Sequence, residues 1–155
     1  MDNINAFKIT IVAVFAGVSA WLGWFGWLIV AFIFCMTVDW ITGSMAAWKR
    51  GAWESKTARE GIWHKTGSIV AVLVALILDW VIGNVMNNIP NIQIPFSYTV
   101  LITPVVLVWY ILTELGSIIE NAGKMGAPVP GFLRKAISVF KGTVDAAGEK
   151  AISGK

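Results

Sequence analysis

Charge is what this sequence has least of. Only 14% of its 155 residues are Asp, Glu, Lys or Arg, against roughly a quarter in soluble domains. From Ile9 to Trp48 the single charged residue is Asp39, and from Thr66 to Thr113 it is Asp79. Cysteine is reduced to Cys35, inside an apolar run, which supports neither a disulfide framework nor a cysteine metal cluster. Histidine is reduced to His64, beside Lys65, where a headgroup-level position suits it better than catalysis. The motifs G-x-S-x-G, H-E-x-x-H and a phosphate-binding glycine loop are missing. No enzyme is read, and no catalytic, cofactor-binding or metal-ligating residue is assigned; Met36, Met45 and Met86 read as packing. The start, MDNINAFKIT, lacks a small-residue cleavage site after a short apolar core, so no removable signal peptide is expected.

What is present is apolar length. The chain is 57% hydrophobic with a mean hydropathy of +0.72. A bilayer crossing needs about 20 apolar residues, so the two nearly uncharged stretches hold roughly four crossings. The first is about 60 Å long as one helix, twice the hydrocarbon thickness, so it should fold back. WLGWFGW, Trp21 to Trp27, supplies glycines for the turn and aromatics for the headgroup level. Spans are expected near 7–22, 25–48, 66–86 and 97–117, with Pro104 kinking the last. The segment NNIPNIQIPFS breaks helix twice with proline. The other reading is a three-span protein whose first segment lies flat.

The cations fix the expected orientation. Lys49, Arg50, Lys56, Arg59 and Lys65 cluster at 49–65; Lys124, Arg134, Lys135, Lys141, Lys150 and Lys155 fill the tail; Lys8 lies near the start. The positive-inside rule then places both termini and the 49–65 loop in the cytoplasm. The net charge of +3 calls for anionic lipid rather than nucleic acid. Lys49, Arg50, Lys56, Arg59, Arg134, Lys135 and Lys141 are the membrane-surface candidates, with Trp48, Trp53 and Trp63 as an inner aromatic belt. After GAPVPGF, apolar positions recur at Leu133, Ile137, Phe140, Val144, Ala147 and Ala151, which predicts an amphipathic helix on the inner surface. The expected fold is all-α: an oligomer-forming integral membrane protein of four transmembrane helices plus that C-terminal helix. Residues 1–120 form the transmembrane part and 121–155 a basic cytoplasmic tail.

The acids are then the residues that need a reason. Asp39 and Asp79 fall near mid-membrane, Glu114 in the inner third of the last span, and Glu120 near its exit. A lone carboxylate in hydrocarbon is costly, so each should be protonated, hydrogen-bonded across helices, or wet. No lysine or arginine is expected inside a span to pair with them. Each mid-membrane Asp lies on a row of small residues: Ala31, Cys35, Asp39, Gly43, Ala47 and Ala71, Ala75, Asp79, Gly83, Asn87. Such rows let helices approach closely in lipid. They pack either one chain's bundle or the contact between copies. The interface or pore candidates are Asp39, Gly43, Asp79, Gly83, Glu114, Glu120 and Asn121.

Three blocks carry a resemblance. DWITGSMAAW (39–48), SKTAREGIWHKTG (55–67) and TELGSIIENAGKMGAPVPGFLRKAI (113–137), in this order and spacing, are similar to the toxin-secretion/phage-lysis holin family. That family includes the holins of many phages of Gram-positive hosts and the clostridial toxin-release holin. The resemblance implies a protein of the host cytoplasmic membrane that assembles with itself into large lesions. An endolysin, or a large toxin, crosses them, giving timed lysis or secretion, with an antiholin as a further partner. No cofactor is implied. Two readings from other classes stand beside it: a small drug/proton antiporter and a small ion channel.

Overall fold

A computed structural model describes residues 2–51, 55–89 and 102–153. Every described element is helical. The stretch Asp2–Lys49 is broken at Gly23 (φ 59°, ψ −175°), a backbone region essentially reserved for glycine. It divides α1 (residues 2–22) from α2 (Gly23–Lys49), within the WLGWFGW segment where a fold-back was expected. The others are α3 (Ser55–Asn88), α4 (Ile102–Lys124) and α5 (Gly131–Ser153).

Among the described residues three helices are long and apolar enough to cross a membrane: Gly23–Lys49, Gly61–Met86 and Ile102–Lys124. Their outer faces carry large apolar side chains in the open, among them Phe34, Ile77 and Trp80, the last 68% exposed. A hydrocarbon surround, unlike water, accepts that surface. This is an all-α membrane protein.

α4 is the central element. α2, α3 and α5 all pack against it, while α2 and α3 touch one another only sparsely. Phe32 and Met36 of α2, Val72 of α3 and Leu107 of α4 form the buried core, with Phe32 and Tyr110 rings 6.0 Å apart. Both small-residue rows point inward: Cys35 and Ala75 are buried, and Ala31, Gly43, Ala71 and Gly83 are half-buried. Small side chains there let α2 and α3 come close to α4 within one chain.

Several boundaries differ from expectation for physical reasons. α3 begins at Ser55, so most of the expected 49–65 loop is its first turns. Pro104 is the third residue of α4. First-turn amides have no partner within the helix, so a proline there removes no bond and starts the helix rather than kinking it. The proline-broken segment and the expected start at Ser97 fall mostly on 90–101, outside the described residues, as does Trp53. α4 runs on to Lys124 and stops at a Schellman turn: Ala127 N donates to Ala122 O at 3.0 Å and Gly126 N to Gly123 O at 2.9 Å. Gly126 takes φ 92° to make it. Lys49 Nζ donates to the Met125 carbonyl beside it.

The expected amphipathic tail helix forms as α5, but it folds back along α4 instead of standing apart on a surface. Gly123 lies by Arg134, Gly116 by Ile137, and Val105 by Gly148. Lys141 Nζ sits 3.8 Å from the Trp109 ring centre. Trp109 and Val105 offer α5 an apolar strip, and burying it outweighs leaving it open.

Candidate polar site of the helix bundle

Packing α2 and α3 on the same helix brings their polar residues together. α3 runs antiparallel to α4, which sets Lys65 opposite Glu114 near one end and Asp79 opposite Thr103 near the other. α2 runs parallel to α4, which sets Asp39 and Gly43 beside Asn121.

Lys65 Nζ donates to Asp39 Oδ2 at 2.8 Å and to Glu114 Oε2 at 2.7 Å. The side chains are 15% exposed for Lys65 and Asp39 and 6% for Glu114. Asn121 Nδ2 completes the cluster, donating to Asp39 Oδ1 at 3.1 Å and to Thr42 Oγ1 at 3.4 Å. Thr42 Oγ1 in turn donates to the Asp39 carbonyl at 3.1 Å. One ammonium bridges carboxylates from two other helices, so α2, α3 and α4 are fixed at one point. Desolvation of such ions is compensated only when each is paired and its remaining hydrogen bonds are made, and among the described residues no buried side-chain nitrogen or oxygen lacks a hydrogen-bond partner. The cluster opens on a cavity of about 220 Å³ that reaches Gly61, His64, Thr113 and Ser117. That volume has room for several waters at roughly 30 Å³ each.

The expectation that no lysine would reach the acids is therefore overturned. Lys65 looked like a loop residue because charges precede it; it lies inside the apolar span of α3. A signal for it existed. The inward row Asp79, Ala75, Val72, Ser68 continues with helical spacing to Lys65 and Gly61, and its buried members are Ala75, Val72 and Ser68.

Asp79 does different work. Its carboxylate accepts Ile102 N and Thr103 N, both at 2.8 Å, and the Thr103 hydroxyl. The first-turn amides of α4 are thus capped by a residue of another helix, with a negative charge at the positive end of the helix dipole.

The remaining candidates sit as follows. Asn121 is buried and Glu120 exposed. A Cβ on Gly43 would meet Asn121 Nδ2 at 3.4 Å, whereas Gly83 has open space around it. Lys49 caps Met125, Arg50 Nε donates to the Ala46 carbonyl at 3.3 Å, and Lys141 covers Trp109. Arg59, Arg134 and Lys135 are exposed. The Lys56 side chain lies outside the described set.

Comparison with known proteins follows the same extent of chain. A model of the bacteriophage holin family matches residues 16–142. An uncharacterized protein of Halalkalibacterium halodurans is 35% identical over 127 residues, covering 82% of this chain and 87% of its own. An uncharacterized protein of Listeria monocytogenes is 30% identical over 114 residues, 73% of this chain and 71% of that one. One of Clostridium perfringens is 30% identical over 109 residues, 70% and 71% respectively. No solved structure matches.

Proposed function

The chain belongs to the bacteriophage holin family, and on that premise we propose that it assembles with itself in a bacterial cytoplasmic membrane into lesions wide enough for a folded protein. An endolysin, or in a toxin locus a large toxin, is the cargo, and the outcome is timed lysis or secretion without any enzymatic step by this chain. An antiholin is a further partner under this reading. Both termini and the basic 49–65 segment insert on the cytoplasmic side, α1 is a fourth crossing, and the basic tail follows the end of α4 at Lys124.

The observation that carries the reading is the family match, which runs from within α1 through all three apolar spans and into α5. Two features of the bundle support it. The cluster of Lys65, Asp39, Glu114 and Asn121 lets a small helical unit persist singly in lipid while copies accumulate. Gly83, half-buried but with open space around it, and the exposed Glu120 are the residues left for contact between copies. Contacts between small-residue surfaces in lipid are individually weak, so assembly depends steeply on surface density.

The test is inducible expression in a bacterium, with and without a cytoplasmic endolysin, following turbidity and membrane potential. Abrupt clearing only with the endolysin, and abrupt depolarisation in both cultures, is the holin result. Proton-coupled solute uptake without protein release would instead make the chain an antiporter. Discrete ion conductances alone would make it a channel.

A further inference from the structure

α5 has charged residues along its length, including Arg134, Lys135, Asp145 and Glu149, yet it lies against a helix apolar enough to cross a membrane. Its contacts run from Gly123 by Arg134 to Val105 by Gly148. That is about 27 Å of α4 at 1.5 Å per residue, close to the full hydrocarbon thickness. Among the described residues α5 packs on α4 and on no other helix.

Stepping 100° per residue divides α5 into three strips. Ile137, Val144, Gly148 and Ala151 face α4 and are half-buried. On one side of them Phe132, Val139 and Phe140 stand 75%, 59% and 62% exposed. On the other side Arg134, Ser138, Asp145 and Glu149 are exposed, with Lys135 at the far edge; the division holds from Phe132 to Glu149, and in the last turn Lys150 falls on the aromatic side and Ile152 on the charged side. Lipid all round would strand the charges, and water all round would strand the aromatics. Only a boundary between the two suits both edges.

A large hole must also have a wetted wall, and the membrane acids do not offer one. Asp39 and Glu114 are held by Lys65, and Asp79 by the start of α4. We propose that α5 is the lumen-lining helix of the assembled lesion: its edge of Arg134, Ser138, Asp145 and Glu149 faces the water, and its Phe132–Phe140 edge faces away from it. This rests on the holin reading. It also sets the direction of the tail. With Lys124 at the cytoplasmic end of α4, Gly148 reaches the level of Val105 at the opposite end. The tail, cytoplasmic at insertion, therefore crosses as the lesion opens, swinging on the Gly126 turn and the prolines Pro128 and Pro130.

The experiment uses the full chain, inducibly expressed with a cytoplasmic endolysin, in a Cys35→Ala background. Val105→Cys with Gly148→Cys pairs positions where a Cβ on Gly148 lies 3.5 Å from Val105 Cγ1. The pair is expected to crosslink under an external oxidant as release begins, and the crosslinked protein to release endolysin within two-fold of the parent. In that crosslinkable protein, Asp145→Leu with Glu149→Leu is expected to cut release at least ten-fold while insertion and crosslinking persist. Phe140→Leu, on the other edge, leaves release unchanged. Failure to crosslink, a crosslink that blocks release, or a leucine pair that releases like the parent would each overturn the assignment while leaving the holin reading intact. A parent that releases no endolysin would overturn the holin reading itself.

Discussion

Lys65 of α3 and Glu114 of α4 meet at 2.7 Å, with Asp39 of α2 on the same ammonium at 2.8 Å. One cation of α3 thus serves one acid of α2 and one of α4. Taking it away leaves two carboxylates facing each other in a poorly solvated place. Lys65→Met should destabilise the bundle in detergent by about 3 kcal/mol, the low end for breaking a buried pair because the site keeps some exposure. Adding Asp39→Asn and Glu114→Gln should restore most of that loss. Denaturation in graded detergent mixtures reads both; a Lys65→Met protein as stable as the parent would show that the cluster holds nothing together.

Asp79 should behave as a cap. Asp79→Ala removes the acceptor for Ile102 N and Thr103 N, a loss of about 1–2 kcal/mol by the scale of helix caps. Asp79→Asn keeps an acceptor and should lose less than half as much. Hydrogen exchange at the Ile102 and Thr103 amides should rise in the alanine variant first, before any change in α2.

Gly23 holds a backbone conformation that other residues avoid, with φ 59° and ψ −175°. Gly23→Ala should cost roughly 1–3 kcal/mol or straighten the helix across the break. The measurement is cysteine labelling by an impermeant reagent from outside the cell. Trp24→Cys in the parent background should label and Ser55→Cys should not, and labelling of Trp24→Cys should fall when Gly23→Ala is added.

The hold of α5 on α4 should depend on Lys141 and Trp109, whose contact is 3.8 Å. Trp109→Ala removes the ring and its apolar area together. Limited proteolysis of the solubilised protein should then cut within 131–153 several-fold faster, while the rest of the chain keeps its resistance. Lys141→Arg, which retains a cation over the ring, should cut at the parent rate.

Much of this was legible in the residues, and the exceptions have physical causes. The break at Gly23 follows from glycine among aromatics in a run too long for one crossing. The rows through Asp39 and Asp79 announced close helix contact, which is met at Gly43 beside Asn121 but not at Gly83, where the space is open. Lys65 was hidden because charge nearby reads as loop, although an inward row of α3 extends to it with unbroken spacing. The role of Asp79 depends on where α4 begins, and the segment before that point has two prolines and no clear start signal. The docking of α5 on α4 was hidden for a deeper reason. An amphipathic stripe states that one face needs cover; it does not say whether lipid headgroups or another helix provides it.

Vesicle release tests the central claim most directly. The purified full chain is reconstituted at increasing density into vesicles that hold a small dye and a folded protein. The account predicts that, above a threshold density, both cargoes leave together and abruptly. Loss of dye with complete retention of the folded protein at every density would contradict it.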